Sequence, residues 1–328
     1  MAIPKDLSRI NNIITVVNMT VARRQKIQDG AESLQVQLRG QDIVHLRPFV
    51  GVTGTTISHV ETDYLQHLVL QALFAAQEGL AQSGHYPINF IGKGGTILQK
   101  ADLTDRFSWD LDFSLDKPNI RSVEAVFRTI QSMLNGHGFE SSFIVTSYDK
   151  SAAAKKDTVV VRLRVKGPSY LKTPKPQAEK AVGIDLAHGE PIYLTPIKPL
   201  IIPRYSDIGP YKITMMHPDE IIAEKARAIM TRNSIANTVK DTYDIWLLLN
   251  KGYVVDHQLI ALKMSKFGEA VFDANRLASR IEQQREVWQG VFETGSKREK
   301  ATFFRILEIP NFEAVKEDVL TFVRTRRA

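Results

Sequence analysis

The chain of 328 residues contains no cysteine, which excludes disulfide frameworks, thiolate nucleophiles and cysteine-ligated zinc, and is compatible with a reducing compartment. Its 8 histidines show none of the spacings that ligate a metal. No uninterrupted apolar run approaches the roughly 20 residues needed to cross a bilayer, and the start, Met1-Ala2-Ile3-Pro4-Lys5-Asp6, has no apolar signal region. A soluble, cytoplasmic protein that does not enter membranes is expected. The glycine-rich segment at 92–96 lacks the Gly-Lys-Ser/Thr ending of a P-loop, and there is no nucleophile elbow, so hydrolase chemistry is not expected either.

What is present is a 43% hydrophobic content, ample for two modest domains or one large one. A formal charge of +7 favours polyanionic partners. Basic residues cluster at Lys155-Lys156, Arg162 to Lys166, Lys297 to Lys300 and Arg324 to Arg327. Lysine-rich surfaces also serve solubility, so this charge takes its meaning from a site.

Residues 1 to about 58 are mixed and polar, with a loop at Thr53-Gly54-Thr55-Thr56 and no repeat. From Val60 the apolar spacing becomes helical through Leu65, Leu68, Val69, Ala72, Leu73, Ala76 and Leu80, until Gly84 and Pro87 stop it. A short strand over Ile88 to Ile91 then enters a glycine turn, and a brief helix is expected over Thr96 to Lys100. Val123, Val126, Phe127, Ile130, Met133 and Leu134 mark an amphipathic helix closed by Gly136. Strands are expected over Phe143 to Tyr148, Thr158 to Lys166 and Ala181 to Leu186. After Pro203 the pattern turns helical. Pro218, Asp219 and Glu220 open a helix running to about Arg232, followed by one over Val239 to Asn250 and amphipathic stretches at 257–290 and 311–326. The expected fold is α+β: a mixed sheet with flanking helices in an N-terminal lobe, residues 1–205 with its core at about 86–200, and a helical C-terminal lobe, residues 206–328.

The segment Ile91-Gly92-Lys93-Gly94-Gly95-Thr96, followed by Arg106-Phe107-Ser108-Trp109-Asp110-Leu111-Asp112-Phe113-Ser114, carries the chemistry. In a strand, alternate side chains share a face, so Asp110 and Asp112 project together while Leu111 and Phe113 enter a core. Neighbouring carboxylates repel unless a cation lies between them. Hard divalent ions, Mg²⁺ above all, take such oxygen ligands and can stabilise displacement at phosphorus. Gly94 and Gly95 let a polyphosphate approach the backbone closely. Each motif alone is weak: Asp-x-Asp is commonly a solvated edge and Gly-Gly a plain turn. Asp185 is a third candidate carboxylate, reached if its strand returns antiparallel beside the acidic one. On the strand at 158–166, Arg162, Arg164 and Lys166 share one side and could line an RNA or nucleotide groove, or a solvated strand face.

The ordered blocks resemble the AbiEii-type nucleotidyltransferase toxins of abortive-infection and toxin–antitoxin systems, including the MenT branch, within the polymerase-beta-like nucleotidyltransferase superfamily. The matching elements are Val60-Glu61-Thr62-Asp63-Tyr64, the Lys93 to Thr96 turn, Arg106 to Asp112, His217 to Ala228, and Lys240-Asp241-Thr242-Tyr243-Asp244-Ile245-Trp246-Leu247-Leu248. The departures are Trp109, where the family has a small or acidic residue, and Lys240, where it has arginine.

The resemblance implies an enzyme that transfers NMP from a nucleoside triphosphate to an acceptor hydroxyl, releasing pyrophosphate. Asp110 and Asp112 would bind Mg²⁺, with Mn²⁺ as an alternative. Asp185 would complete the set and help deprotonate the acceptor. Lys93, Gly94, Gly95, Thr96 and Ser108 would hold the nucleotide, joined by Lys225 from the second lobe, which Asp244 and Asp241 would position. For the MenT branch the acceptor is the 3′ end of tRNA, so translation stops, and a cognate antitoxin is implied, with phage defence as the setting. The rival expectations are transfer to a protein or small-molecule hydroxyl, and a catalytically silent RNA- or antitoxin-binding module.

Overall fold

The computed structural model describes residues 57–82, 89–116, 120–149, 157–172, 174–176, 179–188, 190–203, 205, 207–254, 256–265, 268, 271–293 and 310–325. The loop at 53–56, the lysine pair at 155–156 and the basic stretch at 297–300 lie outside the described residues, as do Arg326 and Arg327.

Alternation of apolar and polar residues builds a sheet with two unlike faces. Its strands are β1 (Asn89–Lys93), β2 (Leu111–Asp116), β3 (Ser141–Asp149), β4 (Asp157–Val165) and β5 (Lys180–His188), and they form a five-stranded mixed sheet in the order β1-β2-β5-β4-β3. Leu111, Phe113 and Leu115 of β2, Val161, Leu163 and Val165 of β4, and Val182, Ile184 and Leu186 of β5 are all buried on one face. Two helices cover that face, α1 (Ile57–Gln82) and α3 (Ile120–Gly136). Each presents an apolar stripe: Leu65, Leu68, Val69, Ala72 and Leu73 from α1, and Val123, Val126, Phe127, Ile130 and Leu134 from α3. Full burial of each large side chain contributes roughly 1.5–3 kcal/mol. The helix α2 (Gly94–Lys100) follows β1 directly, and α4 (Pro168–Lys172) follows β4.

The chain order explains how Asp185 reaches the acidic strand, and it corrects the expected direction. After β2 the helix α3 carries the chain across to β3, β4 reverses, and β5 reverses again. Two reversals leave β5 parallel to β2 rather than antiparallel, inserted between β2 and β4, with Asp112 opposite Asp185.

Residues 190–216 tie the sheet to the second lobe. The segment around Met215 covers the free edge of β1: the Gly92 N–H donates to the Thr214 carbonyl (2.9 Å) and the Met216 N–H to the Gly92 carbonyl (2.9 Å). The Tyr205 hydroxyl donates to the Asp63 carboxylate (2.7 Å) on α1. A small hairpin, β6 (Leu200–Ile201) with β7 (Tyr211–Lys212), lies in this segment.

The second lobe is helical: α5 (Pro218–Thr231), α6 (Ala236–Asn250), α7 (His257–Ser265), α8 (Ala274–Glu282), α9 (Arg285–Glu293) and α10 (Phe312–Thr325). Proline at the first position of α5, with a His217 ring nitrogen accepting from the Asp219 N–H, starts that helix. Asp273 caps α8 in the same way. One continuous apolar cluster runs from α1 and the sheet into these helices, and a smaller one, Val239, Tyr243, Trp288, Val291 and Val315, joins α6, α9 and α10. No described helix is long and apolar enough to cross a membrane.

Phe113 sits in the sheet core between the rings of Phe90 (5.9 Å) and Phe74 (6.4 Å), directly behind Asp112. Phe113→Ala is expected to cost about 3–5 kcal/mol by leaving a cavity, seen as a lower urea midpoint, with Phe113→Leu losing clearly less. A loss under about 1 kcal/mol for the alanine variant would mean that this face is not the packed core.

Candidate active site

The site begins with a backbone held from below. On α1 the buried Gln66 amide donates to the carbonyls of Ser108 (2.9 Å) and Trp109 (3.0 Å). From α2 the buried Thr96 hydroxyl donates to the Asp110 carbonyl (2.6 Å). The segment 108–110 is thereby fixed where it enters β2, and the Thr96 hydroxyl is used in holding it. Trp109 is accommodated because its ring turns towards the helix side, against Phe107 (centroids 4.8 Å apart) and His59 (5.0 Å).

On the opposite face of the sheet stand the carboxylates. Asp112 pairs in register with Lys93 on one side and Asp185 on the other. Asp110, one residue before the strand, reaches over Gly183 of β5: a Cβ there would lie 2.9 Å from Asp110 Oδ1 and 2.4 Å from Arg162 Nη1. Gly183, which no local sequence signal singles out, thus opens the space that Asp110 and Arg162 share. Gly94 has φ +76°, and a Cβ on it would fall 2.4 Å from Asp112 Oδ2, so the glycine turn closes directly upon the acidic strand. Gly95 is pressed equally hard against the Arg106 guanidinium.

Burial pushes the Asp112 carboxyl up to about 6; Lys93 opposes this, and the nearby Asp185 and Asp110 add to it. Lys93 is largely committed elsewhere: its ammonium pairs with Glu190 and stands 3.9 Å from Glu224 on α5. Burial disfavours the charged Lys93, yet Glu224 and Glu190 outweigh it and raise its pKa. Glu190 also accepts from the Ser114 hydroxyl (2.9 Å). Nothing in the turn after β5 marks Glu190 as part of the site, because its partners are distant in sequence.

The second lobe contributes a buried ion cluster. Lys225 of α5 lies between two carboxylates of α6, Asp241 (2.9 Å) and Asp244 (2.7 Å). Asp244 also accepts from Arg106 Nε (2.8 Å) and Nη2 (2.6 Å) and from the Thr104 hydroxyl (3.0 Å). Asp241 pairs further with Arg232. Burial would raise the Asp244 carboxyl, but Arg106 and Lys225 hold it far below the usual carboxylate range. Lys225 is accordingly a buried member of an ion cluster and does not project freely into the cleft. Arg106, which had no assigned role, forms the bridge between lobes.

The basic stripe divides. Arg162 and Arg164 are exposed on the carboxylate face, but only Arg162 reaches the space beside Asp110. Arg164 lies 3.4 Å from Glu179, while Lys166 pairs with Glu140 (2.7 Å) and lies over the Tyr170 ring.

The oxygen donors of Asp110, Asp112 and Asp185 suit a hard cation such as Mg²⁺, and a cation among them would offset the burial and like charge that raise the Asp112 carboxyl. Among the described residues, however, no three His, Asp or Glu side chains already stand together as a metal cage, so side-chain adjustment must accompany any binding.

The family described as "Nucleotidyl transferase AbiEii toxin, Type IV TA system" matches residues 82–318. Among solved structures, the chain is similar to MenT4, a nucleotidyltransferase toxin from Mycobacterium tuberculosis H37Rv, with TM-score 0.51 and 18% identity over 89% of this chain and 91% of that one. It is also similar to JHP933 from Helicobacter pylori, with TM-score 0.43 and 15% identity over 82% of this chain and 91% of that one. No curated protein matches it. The first likeness bears on fold alone.

Arg106→Met removes the main counter-charge of a fully buried Asp244 and should destabilise the protein by about 3 kcal/mol or more, measured by chemical denaturation; an unchanged midpoint would refute the bridge. For Asp112 the sign is opposite. Its folded carboxyl titrates near 6 against 3.8 for the free group, so the folded state binds more protons between those values and stability is lost as pH rises through them. Without divalent ions, Asp112→Asn should therefore gain on the parent by about 2–3 kcal/mol between pH 4 and 7. A constant difference across that range would contradict the burial of this carboxyl beside other carboxylates.

Proposed function

The chain belongs to the AbiEii nucleotidyl transferase toxin family of type IV toxin–antitoxin systems, and on that premise we propose that it transfers NMP from a nucleoside triphosphate to the 3′ end of tRNA, so that aminoacylation and translation stop. The observation that carries this reading is the register of Asp112 against Asp185, with Asp110 alongside over Gly183, on a sheet face that also presents exposed arginines.

Asp110, Asp112 and Asp185 would hold Mg²⁺, or Mn²⁺ in its place. Bound there, the metal would supply charge neutralisation at the α-phosphoryl group and the departing pyrophosphate. Asp185, at the side nearer β4, takes the proton of the acceptor hydroxyl. The hydroxyl oxygen forms a bond to the α-phosphorus, the bond from that phosphorus to the bridging oxygen breaks, and pyrophosphate leaves with the electron pair. The Gly94–Gly95 turn would offer backbone N–H groups to the phosphates, with Lys93 and the Ser108 hydroxyl as further donors. Thr96 acts through the backbone of Asp110. Lys225, Asp241 and Asp244 form the second-lobe side of the site and keep its charges fixed.

The RNA acceptor is supported by the formal charge of +7 and by Arg162 and Arg164 on the open face, since phosphate neutralisation supplies most non-specific affinity. Lys166, tied to Glu140, would add to the rim. Membership of the family implies a cognate antitoxin.

The test incubates purified protein with each labelled NTP, Mg²⁺ and total tRNA, and resolves the products on a denaturing gel. Label should pass to RNA with the wild type, and Asp110→Ala should lower the rate by about 10³-fold or more and abolish toxicity in cells. Label on protein alone, or on a small molecule, would move the acceptor elsewhere. Toxicity that survives Asp110→Ala would leave only a binding module.

A further inference from the structure

The ion cluster of the second lobe contains one cation more than its pairs use. Asp241 is matched by Lys225 and Arg232, and Asp244 by Arg106 and Lys225. Lys240, the residue before Asp241 on α6, is only partly exposed, and among the described residues no carboxylate lies within ion-pairing distance of it. We propose that Lys240 binds the triphosphate of the incoming nucleotide directly, as the cation that the second lobe holds ready for a polyanion; this rests on the nucleotidyl-transfer reading above.

Two features support it. Burial makes the Lys240 ammonium less favourable; Asp241 opposes this, while Arg106, Lys225 and Arg232 add to it, so a cation is held here among other cations. Arg106 of the same cluster pairs with Asp244 and presses on Gly95, and Lys240 is among the charges that act on Asp112, so the cluster stands on the flank of the cleft that faces the acidic strand. A polyphosphate lying between the two would meet the unmatched charge of Lys240 while its α-phosphorus stays beside the carboxylates. An ammonium binds phosphate oxygens as a compact point charge with three donors, so its contribution is independent of the base.

The test is titration calorimetry, with Mg²⁺ present, of inorganic pyrophosphate and of an NTP analogue whose α,β-bridging oxygen is replaced by CH₂. Lys240→Ala should weaken both by about tenfold, for every base alike. It should raise the KM for NTP by a similar factor while changing kcat much less, and Lys240→Arg should restore most of the loss. Lys172→Ala, a change at the exposed end of helix α4, should bind as the wild type does. The melting temperature of Lys240→Ala should stay level or rise, because an unpaired buried charge is removed. Equal binding by wild type and Lys240→Ala would overturn the assignment while leaving nucleotidyl transfer intact. A fall in kcat and in melting temperature with KM unchanged would assign Lys240 a structural role and overturn it too. A wild type that binds neither probe would overturn the nucleotide reading itself, and this inference with it.

Discussion

The buried carboxylate of Asp244 is the point on which the two lobes depend. It accepts from the guanidinium of Arg106, from the ammonium of Lys225 and from the Thr104 hydroxyl, and so joins the approach to β2 with α5 and α6. Charges taken so far from water are tolerated only when every lone pair is used, and here they are shared among partners from three separate stretches of chain. Arg106 in turn presses against Gly95. The glycine turn, the acidic strand and the helical lobe are therefore set by one group of charges.

The sheet supplies the second constraint. Its helix-covered face is apolar at the centre, while its other face carries Asp112, Asp185, Gly183, Arg162 and Arg164. Period-two alternation makes both faces from the same strands, so the packing that stabilises the fold also sets the spacing of the chemical groups. Buried polar residues on α1 extend this: Gln66 holds the carbonyls of Ser108 and Trp109, Asp63 pairs with Lys100 (2.6 Å), and Glu61 accepts from the backbone and hydroxyl of Ser169 (2.8 and 2.7 Å). A helix that would otherwise be simple covering thus also orders the loops around the site.

Much of this was legible in the sequence. The helical spacing from Val60, the alternation at 158–166, the proline start of α5 and the Asp110, Asp112 pair are local signals, and local signals survive without tertiary knowledge. Asp185 was recognisable as a candidate, but the direction of its strand was not, because that depends on counting reversals through β3 and β4. Gly183, Glu190 and the bridging part played by Arg106 were invisible for a common reason. Each acts through a neighbour remote in sequence, as Glu190 does with Lys93 and Arg106 with Asp244. The pairing of Lys225 with Asp241 and Asp244 was expected from the family resemblance, whereas the burial of the whole cluster was not.

The apolar cluster that passes without a break from α1 and the sheet into the second lobe bears on how the cleft can select what enters it. Among the described residues the walls share one core and one set of buried charges, which opposes their moving apart. On the proposed reading, discrimination among nucleotides then falls to a largely fixed outline, read as a rigid template reads a shape, with adjustment left to side chains at the rim.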